Sequence, residues 1–206
     1  MPTPNDLRDR LRSLAMLDAI CGARYLTYSY TTSFSDGVAL GRYENGGGDE
    51  YFVFFDGADV FVRVFDHESE LSPYANDGLW PGLLEGLPAR LEKYVRVDRL
   101  GDEDYPLITL ALWHDGREWK HGSPAPLDGE EPRPTAWPLG QVIEWSAEAV
   151  AADRGRYWSR SFEADDIEPI LALQPLSRER AERLNPEVDW AFVEMVAGHG
   201  GYPLLP

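Results

Sequence analysis

The fold of this chain is decided by one stretch of its sequence, residues 51–65, which reads YFVFFDGADVFVRVF. Two apolar runs flank the turn DGAD at residues 56–59, a pattern typical of a β-hairpin. Closing the hairpin at that turn places Phe55 opposite Val60. The same register pairs Val53 with Val62, Tyr51 with Val64 and Phe52 with Arg63. Both faces are mainly apolar, so we expect both to be largely covered. This indicates a central hairpin with helices packed on at least one side.

Further hairpins are predicted on either side of this stretch, from alternating residues and turn dipeptides. The predicted strands are residues 24–32, 38–43, 107–113 and 117–120, joined in pairs by the turns Asp36-Gly37 and Asp115-Gly116. With the second turn, His114 lies opposite Arg117. His121 then lies too far along its strand to share a metal ion with His114.

Helices are predicted at both ends of the chain. Thr3 and Asp6 form a typical helix start, and leucines follow at helical spacing. Asp18 falls within this apolar stripe, so we expect its carboxylate to have a buried partner. Residues 79–96, broken at Pro88, and most of the chain from residue 141 onward are also predicted to be helical.

These elements predict an α+β fold with an antiparallel sheet of about five to six strands built from hairpins. An N-terminal helix and a mostly helical C-terminal part pack on that sheet. The 206 residues suit a single domain, 1–206. A subdivision into 1–121, 122–138 and 139–206 is the alternative, because the middle stretch carries five prolines and no helix or strand pattern. We expect this proline-rich arm to be ordered on the surface, anchored by Trp137 and Leu139.

The charge of the chain excludes several classes of partner. There are 19 basic and 36 acidic residues, a net charge of −17. Residues 44–131 alone carry seven basic and 20 acidic residues, a net charge of −13. Such a field repels phosphate backbones and anionic lipids, so we expect neither direct nucleic-acid binding nor membrane binding. A basic protein is the partner that this charge favours, although solubility alone also accounts for it.

The expected compartment is the cytoplasm. The single cysteine, Cys21, excludes an internal disulfide and favours a reducing environment. Asp6 and Asp9 stand where a secretory signal would be cationic. No apolar run approaches the roughly 18 to 20 residues that a membrane span needs.

Familiar motifs for catalysis and cofactor binding are absent from the sequence. His67-Glu68 begins the zinc-protease pattern H-E-x-x-H, but Leu71 stands where the second histidine ligand belongs. Glycines 46–48 lead into Asp49 and Glu50, whose carboxylates would repel a phosphate. We therefore expect no catalytic residue, no metal ligand set and no cofactor, and an enzyme is the less favoured class.

The candidate residues for binding a partner or ligand are Asp66, His67, Glu68, Glu70, Trp119 and Trp137. The first four directly follow the central strand, where rigid scaffolds often carry sites. Solvated charge at a strand end is the ordinary alternative. The two tryptophans lie beside a charged turn and in the proline-rich arm, so they are the tryptophans most expected at the surface.

Two classes of function remain open. The first is a non-catalytic protein-binding domain whose acidic surface recognises a basic partner. In general character (small, acidic, α+β, aromatic-rich and without a catalytic motif) the chain resembles bacterial immunity proteins that neutralise nuclease toxins, which implies an inhibitor-type role. The alternative is an enzyme, or a small-ligand or cation-binding protein, that uses Asp66, His67 and Glu68 as acid–base or cation-binding groups.

Overall fold

The computed structural model describes residues 1–22, 25–96, 105–132 and 136–205. The strands are β1 (Tyr28–Ser35), β2 (Val38–Glu44), β3 (Glu50–Asp56), β4 (Asp59–Phe65), β5 (Leu110–Asp115) and β6 (Trp119–His121). The α-helices are α1 (Pro4–Cys21), α2 (Pro73–Asn76), α3 (Gly140–Ile143), α4 (Ala147–Trp158), α5 (Ala164–Leu171), α6 (Arg178–Leu184) and α7 (Trp190–Gly200). Two short 3-10 helices cover Ala89–Tyr94 and Trp137–Leu139.

The strands form a six-stranded antiparallel sheet in which each strand neighbours the next along the chain, in the order β1-β2-β3-β4-β5-β6. The predicted α+β fold is confirmed, with its hairpin sheet, its N-terminal helix and its helical C-terminal part. None of the helices in the described residues combines the length and the apolar character that crossing a membrane requires.

The chain divides into two compact units. Unit 1 comprises Met1–Arg42 and Gly140–Pro206, and unit 2 comprises Tyr43–Leu139. Unit 1 is therefore built from two separate stretches of sequence, and unit 2 is continuous.

Unit 1 is organised around helix α1. Thr3 caps the helix by accepting a hydrogen bond from the Asp6 backbone N–H at 3.2 Å, and Pro4 occupies the first turn. The leucine stripe is fully buried, and α1 packs against β1, α5 and α7. The helix ends before Gly22, where a Cβ atom would overlap the indole ring of Trp158.

Asp18 of α1 is fully buried and has the partner that its position predicts. Its Oδ1 lies 3.2 Å from Arg154 Nη1 and accepts a longer hydrogen bond from the Trp158 indole, and its Oδ2 accepts from the Tyr28 backbone N–H at 2.9 Å. Burial raises the pKa of Asp18, which Arg154 and these hydrogen bonds oppose. Burial lowers the pKa of Arg154, but Asp18, followed by Tyr28 and Asp153, outweighs burial and raises the pKa of the guanidinium. The pair ties α1 to α4 across the core of unit 1.

Unit 2 is built on the β3–β4 hairpin, whose register is the predicted one. Phe55 pairs with Val60, and the other predicted pairs all hold. The residues on both faces of the hairpin, from Tyr51 to Phe55 and from Val60 to Phe65, are at most 4 % exposed. Even Arg63 is buried, with Nη1 donating to the Val95 carbonyl at 2.9 Å and the guanidinium stacked 4.4 Å from the Phe52 ring. The expectation of a central hairpin covered on both faces is therefore confirmed.

The turn end of this hairpin is held by the 3-10 helix Ala89–Tyr94. The Tyr94 ring stacks on Phe54 with centroids 4.5 Å apart, and its hydroxyl donates to Asp56 Oδ2 at 2.9 Å. Lys93 Nζ lies 2.9 Å from the same oxygen. These two hydrogen bonds lower the pKa of Asp56.

Two predicted local structures in unit 2 are wrong. Residues 79–96 form turns and one 3-10 helix, because Gly82 and Gly86 adopt φ values of +85° and +78° that interrupt an α-helix. In the β5–β6 hairpin His114 pairs with Trp119 and not with Arg117, so the return strand is shifted by two residues.

The proline-rich arm is described for residues 122–132 and 136–138, and residues 133–135 lie outside the described part. Its first half is hydrogen-bonded to the distant residues Trp80 and Pro81. The Ala125 N–H donates to the Pro81 carbonyl, and the Trp80 indole donates to the Ala125 carbonyl, both at 2.9 Å. At the far end Leu139 is fully buried, whereas Trp137 is 51 % exposed.

Candidate functional site

The loop that follows β4, residues 66–71, is shaped by Asp66. This residue is 5 % exposed, and its backbone N–H donates to Thr109 Oγ1 at 3.0 Å. Its Oδ1 accepts from the Glu68 backbone N–H at 3.1 Å, and its Oδ2 accepts from the Trp137 indole N–H at 3.0 Å. One buried carboxylate therefore fixes the start of the loop and holds Trp137 of the proline-rich arm against it.

This contact forms one wall of an open cleft of about 440 Å³ within unit 2. The residues that line the cleft are Asp66, Glu68, Ser69, Glu70, Leu71, Pro132 and Trp137. Three of them are carboxylates, and both Glu68 and Glu70 are exposed. The structure thus brings together four of the six residues that the sequence nominates, although 71 positions separate the first from the last. We call this feature the acidic cleft.

His67 does not line the acidic cleft and instead contacts Asp49, the residue before β3. His67 Nδ1 lies 2.8 Å from Asp49 Oδ1, and the His67 backbone N–H donates to the same oxygen at 3.0 Å. Asn45 Nδ2 donates to Asp49 Oδ2 at 2.6 Å. The imidazole itself stays partly open to solvent, with 41 % of the side chain exposed, whereas Asp49 is 4 % exposed.

The His67–Asp49 contact changes the ionisation of both groups. The hydrogen bond to Asp49 raises the pKa of His67, against a smaller opposing effect of burial. For Asp49 burial acts to raise the pKa, but the hydrogen bonds from His67 and Asn45 together outweigh it and lower the pKa below its usual range. The Asp49 carboxylate is therefore held in its charged form.

The side chains of Asp49, Asp66 and His67 also lie close together. Each offers one potential ligand atom, and these atoms all lie within 4.8 Å of one another. Two carboxylates and one imidazole are donor groups that can bind a cation.

The residues nominated from the sequence do not include Asp49, although the predicted hairpin register already places it beside Asp66. Glu50 pairs with Phe65, and one further step along both strands brings Asp49 beside Asp66. Trp119, by contrast, is placed elsewhere in unit 2: it lies opposite His114, with the ring centroids 5.4 Å apart in an edge-on contact.

No protein-family model, no curated protein and no solved structure matches this chain. Any inference about its function therefore rests on the geometry and charge of the site itself.

Proposed function

We propose that this chain is a cytoplasmic, non-catalytic protein-binding domain of the inhibitor or immunity type, and that the acidic cleft receives a basic side chain of its partner. The observation that carries the proposal is the convergence of three carboxylates and one exposed indole on a single cleft. The partner is a protein with an exposed arginine or lysine at the centre of a basic surface.

The chemistry of the cleft suits a guanidinium group. Glu68 and Glu70 are exposed at the rim and can accept charge-assisted hydrogen bonds. The half-exposed Trp137 offers an aromatic ring, and arginine stacks on indole rings more readily than lysine does. Asp66 holds that indole through its ring N–H, which fixes the orientation of the ring before a partner arrives.

Long-range charge supports the same class of partner. Residues 44–131, which include the loop 66–71, carry a net charge of −13. Such a field accelerates the approach of a basic protein and slows that of nucleic acid. Direct nucleic-acid binding is therefore no part of the proposed function.

A second candidate function, cation binding at the same strand end, is favoured by the Asp49–Asp66–His67 group. It requires no protein partner, so the two functions can be tested apart.

Binding of defined peptides tests the main proposal. Nona-arginine, nona-lysine and nona-glutamate are titrated into the ¹⁵N-labelled protein at low and high salt, with calorimetry alongside. The indole N–H resonance of Trp137, assigned with Trp137→Phe, reports on the cleft directly. We expect the arginine peptide to bind most tightly, to shift this resonance, and to lose affinity as salt screens the charges.

A matched pair of variants separates the cleft from the overall charge. Glu68→Gln/Glu70→Gln removes two carboxylates from the cleft, and Glu163→Gln/Glu187→Gln removes two exposed carboxylates from unit 1 that do not line it. We expect the cleft variant to lose affinity by about tenfold, equivalent to about 1.4 kcal/mol, and the control by no more than about twofold. Equal losses in the two variants, or an unmoved Trp137 resonance, would refute the proposal.

A further inference from the structure

The two buried aspartates at the ends of β3 and β4 carry more negative charge than their surroundings balance. Asp49 and Asp66 are 4 % and 5 % exposed, and the ligand atoms they offer lie within 4.8 Å of each other. Among the described residues no lysine or arginine forms an ion pair with either carboxylate. The cationic partner present is the His67 imidazole, which supplies at most one positive charge against two carboxylates.

We propose that Asp49, Asp66 and His67 bind a first-row divalent transition-metal ion, with Zn²⁺ and Mn²⁺ as the best-suited ions. Buried charges in proteins are paired or coordinate metals, because an uncompensated charge in a low-dielectric interior is costly. An ion of charge +2 balances the two carboxylates, and the imidazole then needs no proton to serve that purpose.

The donor set decides which class of ion the site takes. Calcium and magnesium ions prefer sites made of oxygen donors alone. An imidazole nitrogen favours the transition metals, and carboxylates beside it remain acceptable to Zn²⁺ and Mn²⁺. One nitrogen and two carboxylates therefore favour these ions over Ca²⁺ and Mg²⁺.

Two of the three donors are already close to the spacing that one ion requires. Adjacent ligands of an ion with bonds of about 2.1 Å lie roughly 3.0 Å apart in octahedral and about 3.4 Å apart in tetrahedral geometry. His67 Nδ1 and Asp49 Oδ1 are 2.8 Å apart, so a small outward movement of the exposed imidazole opens the required space. The ion takes the place of the proton that these two atoms now share, and that proton leaves to solvent.

The surrounding structure holds two of the three ligands in place. Asn45 Nδ2 fixes the second oxygen of Asp49, and the Glu68 backbone N–H fixes one oxygen of Asp66. The His67 side chain is 41 % exposed, so water can reach the site from the side of this residue. Glu68 Oε1 lies 4.0 Å from His67 Nε2, so a small movement of this exposed side chain lets it accept the N–H that Nε2 carries when Nδ1 binds an ion.

This site is independent of the proposed recognition of a basic partner, since each can be measured without the other. They share Asp66, whose Oδ2 accepts the Trp137 indole N–H, and Glu68 lies beside both sites. Metal binding is therefore expected to shift the Trp137 indole resonance in the absence of any peptide.

Calorimetric titration of chelator-treated protein tests the inference with the metal ions alone. We titrate the wild type, His67→Ala and the control His121→Ala at about pH 7.5 with ZnCl₂, MnCl₂, CaCl₂ and MgCl₂. His121 is a matched control because it is also an exposed histidine of unit 2. We expect one Zn²⁺ or Mn²⁺ per chain, and His67→Ala to weaken binding by at least about tenfold. We expect the control to bind as the wild type does.

Several outcomes would overturn the inference. These are the absence of saturable 1:1 binding, a His67→Ala variant that binds unchanged, or equal losses in the two histidine variants, which would mean adventitious coordination. Calcium or magnesium binding as tight as that of zinc would remove the transition-metal assignment. His67 is exposed, so its loss should leave the fold intact, and far-UV circular dichroism of each variant checks this.

Discussion

Replacing Arg154 with methionine should destabilise the protein more than removing the charge of its partner, Asp18. The substitution nearly keeps the side-chain volume. It leaves a fully buried carboxylate whose remaining donors among the described residues are the Tyr28 backbone N–H and the Trp158 indole. Breaking a buried ion pair from one side costs about 3 to 5 kcal/mol. For a chain of this size, that lowers the melting temperature by roughly 6 to 20 °C.

The reciprocal variant Asp18→Asn should cost less because Arg154 keeps a second partner. Arg154 Nη2 lies 2.6 Å from Asp153 Oδ2, and Nε donates to the same oxygen at 2.9 Å. The asparagine can still accept the Tyr28 N–H, so the loss is about 1 to 3 kcal/mol. The double variant should cost less than the two single losses added together, since it removes both members of one pair.

Urea unfolding at neutral pH measures these differences. Circular dichroism and tryptophan fluorescence are recorded together, because two units can unfold separately and only coincident curves justify a single free energy. The reasoning is refuted if Arg154→Met costs no more than Asp18→Asn, or if the double variant equals the sum of the single variants.

Three further predictions concern other parts of the chain. Gly198 lies in α7 with open space around it, so Gly198→Ala should stabilise the protein by about 0.5 to 1 kcal/mol. Gly155→Ala in α4 should instead destabilise it, because the new Cβ would stand 2.8 Å from the backbone oxygen of Arg160. Urea unfolding of both variants tests these expectations. Burial raises the pKa of Cys21 to about 12, so an alkylating reagent at pH 8 should modify it only in denaturant, and rapid labelling of the native protein would contradict this. Hydrogen bonds from Lys93 and Tyr94 lower the pKa of Asp56 in the folded state. The contribution of Asp56 to folding stability is therefore complete above its unfolded-state pKa of about 3.9, and it is lost as the pH falls through the lower folded-state pKa. The difference in unfolding free energy between wild type and Asp56→Asn should therefore shrink from pH 6 towards pH 2, and a constant difference would exclude this linkage.

The β3–β4 hairpin could be read from the sequence because two independent signals agree there. The turn residues fix where the chain reverses, and the alternation of Phe and Val on both strands admits one register. In β5–β6 the turn signal alone is ambiguous. The Asp115 carboxylate accepts hydrogen bonds from the backbone N–H groups of Arg117 and Glu118, which makes Asp115 the first residue of the turn and shifts the return strand.

The helix predicted over 79–96 fails for a different reason. Leucines at helical spacing occur there, but Gly82 packs against the backbone of Ser123, and the positive φ at this glycine suits that contact and not an α-helix. The partner that imposes this conformation is about 40 residues away, so tertiary contact overrides the local pattern.

The candidate site was predictable only in part for the same reason. The dense run Asp66 to Glu70 is visible as charge that follows a buried strand, and Trp137 stands out as an aromatic residue among prolines. Their meeting depends on one long-range hydrogen bond from the Trp137 indole to Asp66, which no local pattern encodes. Asp49 follows three glycines, a pattern that suggests a phosphate-binding loop and not a carboxylate ligand.

Unit 1 is built from two separate stretches of sequence, so during synthesis its last residues are added after all those of unit 2. All the residues of unit 2 have been made once residue 139 is added, whereas α1 must wait for contacts such as the hydrogen bond from Arg12 Nε to the Gly200 carbonyl. At about 5 to 20 residues per second, the 61 residues from position 139 to position 200 take roughly 3 to 12 s. During that interval the leucine stripe of α1 lacks the cover that α7 provides, and apolar surface exposed on a nascent chain favours aggregation.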